Sequence, residues 1–583
     1  GGTVTVQNGA TLDLSGFGLT NKTGGYVIHI TGNGVGSAGA LVDNAGSQLN
    51  FGLTNLTLDA DASVGGSSRF DMRPVTASTL IPTLDLAGHT LTKVGVNQFW
   101  LQQANVTQGD IVVQSGVLGL NTISITSGLI TVKSGAELRL FRNASTTSCE
   151  LTRPITLEAG AVVAYTGTET TDAIDESIAS DIILNGDATV IAGNSGGNSF
   201  GSVFELAGSI TGLFGWTKSG TNTVLLTGAN TYSGTTTVSA GTLRVGATNC
   251  IPDGSNDLSD DDSATNGNVS VSAGATLDLN AFDTTIAGLD GAGVVDTLAG
   301  GVPMLTIGNN NQDGAFSGVL KNSGGTLALT KVGAGTQTLS GANTYTGGTQ
   351  VSAGTLLVNN ASGSGTGTGD VSVNNDATLG GNGSVSGAVA ILFGGTLSPG
   401  TSIGRLSINS NLTLQGTVLM EIARNGPALT NDLVAGTKTN FYDGTLIITN
   451  VGSSPLQVGD SFQLFNAAKY AGGFADIIYP DGYTFTDTLA VDGRITVASV
   501  VSSAPPGFPA GAISVLPDHR ISLTATGALG ATFSLWATTN LALTPVTNTW
   551  TLVTNGTVSE SPFTIFDTAA TNLPARFYQF TTP

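Results

Sequence analysis

Short stretches in which apolar and polar residues alternate recur along the whole chain, and a glycine follows most of them. Examples are TVTVQNGATLDL from Thr3, ITVKSGAELRL from Ile130 and VSVSAGATLDL from Val269. A period of two is typical of a strand with one buried side, and glycine allows the chain to turn sharply. The unit recurs at Val6/Gly9/Leu12, Val113/Gly116/Leu118, Val132/Gly135/Leu138, Val238/Gly241/Leu243, Val271/Gly274/Leu277 and Val351/Gly354/Leu356. One such unit cannot bury its apolar side alone, so we predict that successive units stack.

Two of these units belong to a longer repeat, one in each of its two copies. The segment TKSGTNTVLLTGANTYSGTTTVSAGTLRV, residues 217–245, returns as TKVGAGTQTLSGANTYTGGTQVSAGTLLV, residues 330–358, with 19 of 29 positions identical and no gap. Fixed-period self-similarity indicates a repeat architecture, so we predict a parallel β-helix with coils of about 22 residues. We expect Leu243 and Leu356 to face its interior.

This repeat closely resembles the autotransporter-associated β-strand repeat of large secreted bacterial passenger proteins. The segments LSPGTSIGRLSINSNLTLQGTVLMEI, from Leu397, and VGDSFQLF, from Val458, are similar to the final coils of such passengers, and TLDLAGHTLTKVG, from Thr83, resembles a further coil element. The resemblance implies a β-solenoid at the cell surface. No counterpart of the family's C-terminal membrane barrel is recognised in the sequence, so we expect a secreted solenoid without that barrel.

The pattern divides the chain into three parts. We predict an all-β parallel solenoid over residues 1–498, a Pro-rich linker over 499–513 and a small antiparallel β-sandwich over 514–583. Trp536, Trp550, Phe577 and Tyr578 are assigned to the sandwich core, with an aromatic platform for sugars as the alternative. The sequence does not predict the handedness of the solenoid.

Composition limits the functional classes. Among 583 residues, only 10% are charged and the net charge is −21. This acidic, Lys-poor chain is unsuited to nucleic-acid binding, because phosphate contacts require clustered Lys and Arg. No apolar run is long enough for a transmembrane helix, and no signal peptide is recognised. Because the sequence opens inside a coil, we expect that a signal peptide was either removed or is not covered by it.

Few residues suggest chemistry. The loop of residues 251–267 is rich in carboxylates that can ligate Ca²⁺, although its spacing is not that of an EF-hand and a solvated acidic loop is the alternative. Its candidate ligands are Asp253, Asp257, Asp260, Asp261 and Asp262. Cys149 and Cys250 either form one disulfide or are two small buried residues. His29, His89 and His519 lie in separate segments and are read as structural.

Some parallel β-helices are polysaccharide-degrading enzymes, which need a basic residue or paired carboxylates on one groove. The candidates are Arg69, Asp71, Arg73 and Lys93, with Asp172, Asp175 and Glu176 in a second group. The sequence gives no sign that either group converges, so no catalytic residue and no cofactor are assigned.

Three functions are therefore compatible with the sequence. The first is a non-catalytic extracellular rod that assembles end to end, because strand Thr3–Val6 begins without a capping element and exposes groups that can template another chain. The second is an adhesin that binds glycans or host surfaces. The third, favoured least, is a carbohydrate-active enzyme.

Overall fold

The computed structural model of the protein describes residues 2–17, 26–47, 53–74, 81–121, 123–125, 127–142, 150–167, 174–193, 203–253, 267–500, 506–518, 520–527, 531–570 and 575–582. Its dominant feature is a coil of short parallel strands that repeats along the chain. Successive strands lie in turn on a first, a second and a third face, and each strand pairs with the strand one coil earlier and one coil later. The predicted all-β parallel solenoid is confirmed.

The first face carries the longest sheet. Its strands are Phe70–Met72, Gln98–Gln102, Val117–Asn121, Glu137–Arg142, Val162–Gly167, Ala188–Ala192, Trp216–Ser219, Thr236–Val238, Val269–Val271, Leu289–Gly291, Gly314–Phe316, Thr336–Leu339, Gly354–Val358, Ala377–Gly381, Thr396–Pro399, Thr417–Asn425, Thr445–Asn450 and Asp476–Ile478. Strand Ala428–Asn431 adds an antiparallel hairpin to Thr417–Asn425. At about 4.8 Å per strand, this sheet is roughly 80 Å long.

The second face is built in segments. Its strands are Thr3–Val6, Tyr26–Gly32, Leu53–Gly66, Thr83–Asp85, Asn105–Val106, Ser124–Ile125, Glu150–Leu151, Ile174–Ile178, Val203–Leu206, Thr223–Leu226, Thr242–Val245, Thr276–Asp278, Val294–Asp296, Val319–Leu320, Ser384–Val385, Arg405–Ile408, Leu433–Tyr442 and Phe465–Gly472. Leu53–Gly66, Leu433–Tyr442 and Phe465–Gly472 bend onto the third face as well.

The third face completes each coil. Its remaining strands are Leu12–Asp13, Leu41–Asp43, Thr90–Lys93, Asp110–Val113, Ile130–Val132, Ile155–Leu157, Ile182–Leu184, Ile210–Gly212, Thr284–Thr285, Met304–Ile307, Ala328–Lys331, Thr349–Val351, Val371–Val373, Val389–Ile391 and Leu412–Leu414.

The core follows from the alternation of residues in these strands. In Thr242–Val245, for example, Leu243 and Val245 are fully buried, while Thr242 and Arg244 lie outside. One continuous apolar cluster extends from Val6 to Val497. Leu243 and Leu356 are both 0% exposed, so their predicted inward orientation is confirmed.

The coils are unequal in length. On the first face, Lys218 pairs with Val238, which in turn pairs with Val271, so one coil spans 20 residues and the next spans 33. The paired strands keep their register across coils of different length. The expected length of about 22 residues therefore describes an approximate coil and not every coil.

The two copies of the long repeat lie on different faces. In the first copy, Trp216–Ser219 belongs to the first face and Thr223–Leu226 to the second. In the second copy, the equivalent strands Ala328–Lys331 and Thr336–Leu339 belong to the third and the first faces. The separation between the copies is thus not a whole number of coils, and the second copy is rotated by one face.

An antiparallel sheet follows the last coils. Its strands are Ser461–Gln463, Tyr483–Asp487 and Arg494–Val500. Phe462, Ile495 and Val497 join the solenoid core, and Tyr442, Phe465 and Phe474 pack ring against ring beneath them. The sheet therefore closes the apolar core at this end of the solenoid.

Two small antiparallel sheets form the C-terminal module. One contains Ile513–Val515, Ile521–Ala525 and Phe563–Asp567, and the other contains Thr532–Thr538, Thr551–Thr557 and Phe577–Thr581. Their shared core contains Leu523, Phe533, Leu535 and Phe580. Phe508, from the predicted linker, stacks on Phe580 at a centroid distance of 4.8 Å.

Three of the four aromatic residues that the sequence assigned to this core lie outside it. Phe577 is 38% exposed, and Trp536 and Trp550 are only partly buried, outside the core cluster. Side chains alternate between the two sides of a strand. Because Phe533 and Leu535 point into the core, Trp536 points outward, and because Phe580 points inward, Phe577 points outward. Tyr578 packs at the border of the core, as predicted.

Helices are few and short. In the part of the chain that the structure describes, they are the α-helical turn Val546–Thr549 and the 3-10 turns Val35–Ser37, Asn309–Asn311 and Thr568–Ala570. Within the described ranges, no helix has the length and apolar run needed to cross a bilayer.

Candidate functional site

Three lysines point into the solenoid, and two of them are the lysines of the Thr-Lys pair in the repeat. Lys93, Lys218 and Lys331 are each 0% exposed. The Lys331 Nζ donates to the carbonyl oxygens of Val332 and Gly333 at 2.6 and 2.9 Å, and to Ala353 of the next coil at 3.3 Å. Lys218 and Lys93 donate to equivalent carbonyl oxygens. These ammonium groups satisfy corner carbonyls and tie one coil to the next.

Glycine is required at the corners that the ammonium groups of these lysines contact. Gly241 and Gly354 both have a φ of +63°, and a Cβ on Gly241 would lie 2.5 Å from the Lys218 Nζ and the Gly220 carbonyl oxygen. Burial lowers the pKa of Lys93 and of Lys218 to about 7. Burial lowers the pKa of Lys331 only to about 8, because Asp313 partly offsets the effect.

The Asn and Tyr of the repeat are also internal. The Asn343 Oδ1 accepts from the Leu320 N–H at 2.8 Å, and its Nδ2 donates to the Gly365 carbonyl at 2.6 Å. Asn230 makes the equivalent pair of bonds. The hydroxyls of Tyr232 and Tyr345 lie 2.6 and 2.7 Å from the Oγ1 atoms of Thr236 and Thr349. The buried Lys, Asn and Tyr of the repeat therefore act inside the solenoid and are not available to a ligand.

The first catalytic group is only partly assembled. Arg69 binds both oxygens of Asp71, at 2.8 and 2.9 Å, and Gln102 donates to its Oδ2 at 2.7 Å. Arg73 is 3.7 Å from the same carboxylate, and the Arg69 guanidinium lies over Trp100. Burial raises the pKa of Asp71, against the lowering effect of the two arginines. With its oxygens engaged in this way, Asp71 is suited to hold the arginines in place.

Lys93 does not join this group, because its ammonium is bound to corner carbonyls. In the second catalytic group, Glu176 is buried, while Asp172 and the side chain of Asp175 lie outside the described residues. Neither group forms a groove with free acid and base groups in the described part of the chain.

One of the five calcium candidates, Asp253, lies within the described residues. The Asp253 Oδ2 accepts a hydrogen bond from the Asn309 Nδ2 at 3.0 Å. Asp257, Asp260, Asp261 and Asp262 lie outside the described residues. Within the described ranges, no three His, Cys, Asp or Glu side chains are grouped as metal ligands.

The remaining candidates are isolated. Cys250 is a free, buried thiol whose pKa burial raises, and Cys149 lies outside the described residues. The Nδ1 atoms of His29 and His89 face Asp59 and Asp61 at 2.8 and 3.8 Å. His519 also lies outside the described residues.

A column of outward threonines on the first face was missed in the sequence. We call it the threonine ladder, and its members are Thr336, Thr355, Thr378, Thr396, Thr417 and Thr445. Each is the direct cross-strand partner of the next. All six are half-exposed, and no hydrogen bond joins their hydroxyls to other described residues. The hydroxyls thus form a row of free donors and acceptors, spaced about 4.8 Å apart.

Two grooves flank this ladder. The carboxylate groove, about 410 Å³, is lined by Thr355, Thr378, Ser398, Ser402, Glu421 and Asp432 among others. Asp432 is buried and accepts the backbone N–H groups of Gly404 and Glu421, each at 2.7 Å. Burial raises the pKa of Asp432 to about 6.

The phenylalanine groove lies at the opposite margin of the ladder and has a volume of about 540 Å³. Its lining includes Phe393, Gln415, Thr417, Asp443 and Thr445. Phe393 is 86% exposed, more than any other large apolar side chain in the described part of the chain. A third depression of about 400 Å³ lies on the third face, where Asp370 is the only charged side chain and no aromatic ring is present.

The stacked coils form a parallel β-solenoid, and Lys218, Lys331, Asn230 and Asn343 are its internal staples. The sequence model of the family described as Passenger-associated-transport-repeat matches residues 217–245 and 329–358. The Adhesin BmaC autotransporter of Brucella suis biovar 1 (strain 1330) is 35% identical over 158 residues, which cover 27% of this chain and 4% of that relative. The chain thus matches only a small part of the relative's length. Two copies of this transport-associated repeat are therefore present in the chain.

Proposed function

We propose that the chain is a non-catalytic, surface-displayed rod that adheres to a partner through the outer side of its first face. The observation that carries this proposal is the threonine ladder, whose six hydroxyls lie in register beside two grooves. Similarity to a passenger named as an adhesin supports the same function and an extracellular, cell-surface location. Partners are glycans or other cell-surface components.

A catalytic function receives less support. The carboxylate groove does contain two carboxyl groups, those of Glu421 and Asp432. However, both oxygens of Asp432 accept backbone N–H groups, which fixes this carboxylate as part of the corner. A reacting carboxylate requires an oxygen available to substrate or water.

A binding experiment tests the adhesive face. The labelled chain is added to a panel of bacterial, fungal and animal cells and measured by flow cytometry. We expect binding to at least one cell type, and a loss of at least tenfold in the triple variant Thr378→Val, Thr396→Val, Thr417→Val. Valine keeps the shape and strand preference of threonine and removes only the hydroxyl.

The matched control is Thr306→Val, Thr330→Val, Thr413→Val, because these threonines point outward on the third face. Binding by this control should equal that of the unmodified chain. Equal binding by the ladder variant, or binding to no cell type, would contradict the proposed face.

Self-association into a homopolymer is the second proposal. End-to-end stacking at the closed end of the solenoid is disfavoured, because the antiparallel sheet occupies it. A joint through the C-terminal module is favoured by its edge strand, where Ile513 and Val515 are 50% and 70% exposed. Sedimentation velocity over a hundredfold concentration range tests this joint. Polymers of the unmodified chain that are absent in the double variant Ile513→Lys, Val515→Lys would support it. A chain that stays monomeric at every concentration would oppose it.

We also propose the division into a solenoid, residues 1–498, a linker, 499–513, and a module, 514–583. It is supported by the two separate apolar clusters, one ending at Val497 and the other lying around Leu523 and Phe580. The packing of Phe508 on the module suggests that the linker contributes part of its length to that fold.

A further inference from the structure

We propose that the ligand of the first face is a neutral polysaccharide chain that lies along the rod, over the threonine ladder, with one sugar ring stacked on Phe393. This inference rests on the proposed function of this face as the binding surface. It adds the class of ligand, its direction on the rod and the residues that recognise it.

The ladder sets the direction of the ligand. Its hydroxyls recur at the strand spacing of about 4.8 Å, similar to the length of one pyranose ring along a glycan. A threonine hydroxyl both donates and accepts, as the hydroxyls of a sugar do. An extended glycan parallel to the rod can therefore repeat one contact at several rungs, and the affinity grows with the number of rungs engaged.

A peptide strand fits this face less well. Strand addition requires a sheet edge with unpaired backbone groups. Along the ladder, each strand from Gly354–Val358 to Thr417–Asn425 already pairs with a neighbour on both sides. Side-chain hydroxyls are what this surface offers.

Phe393 supplies the stacking contact. It lies at the corner that leads into Thr396, and its ring is 86% exposed beside Gln415 and Asp443. An exposed aromatic ring is unfavourable in water, and the apolar C–H side of a sugar can cover it. The amide of Gln415 and the carboxylate of Asp443 are positioned to bind hydroxyls at the edge of such a ring.

The charge of the surface selects among glycans. Neither groove is lined by Lys or Arg, whereas Glu421, Asp432 and Asp443 all contribute carboxyl groups. The net charge of the chain is −21. Sulfated or uronate polymers are therefore repelled. The main contacts of the ligand are the uncharged threonine hydroxyls, so we commit to a neutral polymer and use a cationic one as a test.

Affinity electrophoresis in native gels tests this inference with the full chain. The probes are laminarin, galactomannan and dextran as neutral polymers, polygalacturonate as the anionic one and chitosan as the cationic one. We expect at least one neutral polymer to retard the chain, and polygalacturonate to have no effect. The apparent affinity should fall at least tenfold in Phe393→Ala and in the ladder triple variant, and should rise with polymer length.

Two controls isolate the site. Phe214→Ala removes another exposed phenylalanine, 42% exposed, and the third-face threonine triple removes hydroxyls elsewhere. Both should bind as the unmodified chain does, and all variants should keep its circular dichroism spectrum and melting temperature. Retardation by no neutral polymer, by polygalacturonate or chitosan alone, or equally by the ladder variant, would overturn the inference.

The outcome also separates this inference from the proposed function. Cell binding that needs the ladder but survives periodate treatment of the cells would leave the adhesive face in place and remove the polysaccharide as its ligand. Cell binding that does not need the ladder would remove the proposed function itself.

Discussion

The two copies of the long repeat have the same interior and different exteriors. Lys218 and Lys331 cap equivalent corners, and Asn230 and Asn343 bridge equivalent pairs of neighbouring coils. Yet the second copy lies one face away from the first around the axis. The staple set therefore works in both placements around the axis, because its bonds are either local to one corner or join neighbouring coils.

On the outer surface of the solenoid, the two copies differ. In the first copy, Thr223, Thr242 and Thr276 form a short column that ends at Val294. In the second copy, the equivalent column continues over six threonines. Arg244 pairs with Asp278 beside the first column, whereas Leu357 stands in the equivalent place beside the second. The repeat thus determines the interior, and the coils that follow determine the surface.

The largest expected effect comes from placing a charge in either interior. Leu243→Asp and Leu356→Asp should each lower the free energy of unfolding by at least about 4 kcal/mol, because a buried carboxylate would have no partner. Urea denaturation followed by circular dichroism measures the loss. Leu357→Asp is the control for the second copy, since its side chain is only half-buried, and it should cost less than about 1 kcal/mol. Equal losses at Leu356 and Leu357 would contradict the strand register.

The lysine staples should give the next largest effect, as a dependence of stability on pH. In the folded state Lys218 has a pKa of about 7 and Lys331 of about 8, against 10.5 in the unfolded chain. Between these values the unfolded chain binds more protons, so stability rises with pH from about 7 or 8 up to 10.5. For each lysine the slope is at most about 1.4 kcal/mol per pH unit.

Methionine variants locate this pH dependence. Lys218→Met should remove the rise in stability that begins near pH 7. Lys331→Met should remove the rise that begins about one pH unit higher. Urea midpoints at half-unit pH steps from 6.5 to 10 measure both. Unchanged slopes in both variants would show that the lysines stay charged in the folded state.

The asparagine staples sharpen the comparison further. Asn230→Ala and Asn343→Ala each leave a buried backbone N–H and a buried carbonyl without a partner, which should cost about 2–3 kcal/mol. The two losses should agree within about 0.5 kcal/mol, because the bonds are equivalent. Exposed Asn409→Ala is the control. A loss confined to one copy would mean that the staples are not interchangeable.

The smallest effect is expected at the tyrosines. Tyr232→Phe and Tyr345→Phe each remove one buried hydrogen bond, to Thr236 or Thr349, and should cost about 1 kcal/mol. Differential scanning calorimetry can resolve this change. A gain in stability would indicate that these hydroxyls are strained rather than satisfied.

Much of this interior was predictable from sequence, because it depends on local alternation. Strand Thr3–Val6 begins and ends where the pattern predicts. The roles of Lys331 and Asn343 were not predictable, since their partners lie about 22 residues away in the next coil.

The exterior was harder to predict, because it depends on register between coils. Every ladder threonine follows a glycine or alanine, as in Gly354-Thr355 and Gly395-Thr396, and this signal is visible in the sequence. Unequal coil lengths hide the alignment, however, so nothing in the sequence shows that these residues stand in one column. Phe393 was missed for the same reason, since its exposure follows from its place at a corner.

The offset between the copies also has a genetic consequence. Recombination between two nearly identical segments deletes one copy and the residues between them, and here it would rejoin the chain in correct strand order. The shortened rod would keep every internal bond of the remaining copy, but everything downstream would turn by a third of a revolution relative to the N-terminal coils. A single deletion could in this way change which side of the molecule a neighbour meets, with no substitution in any surface residue.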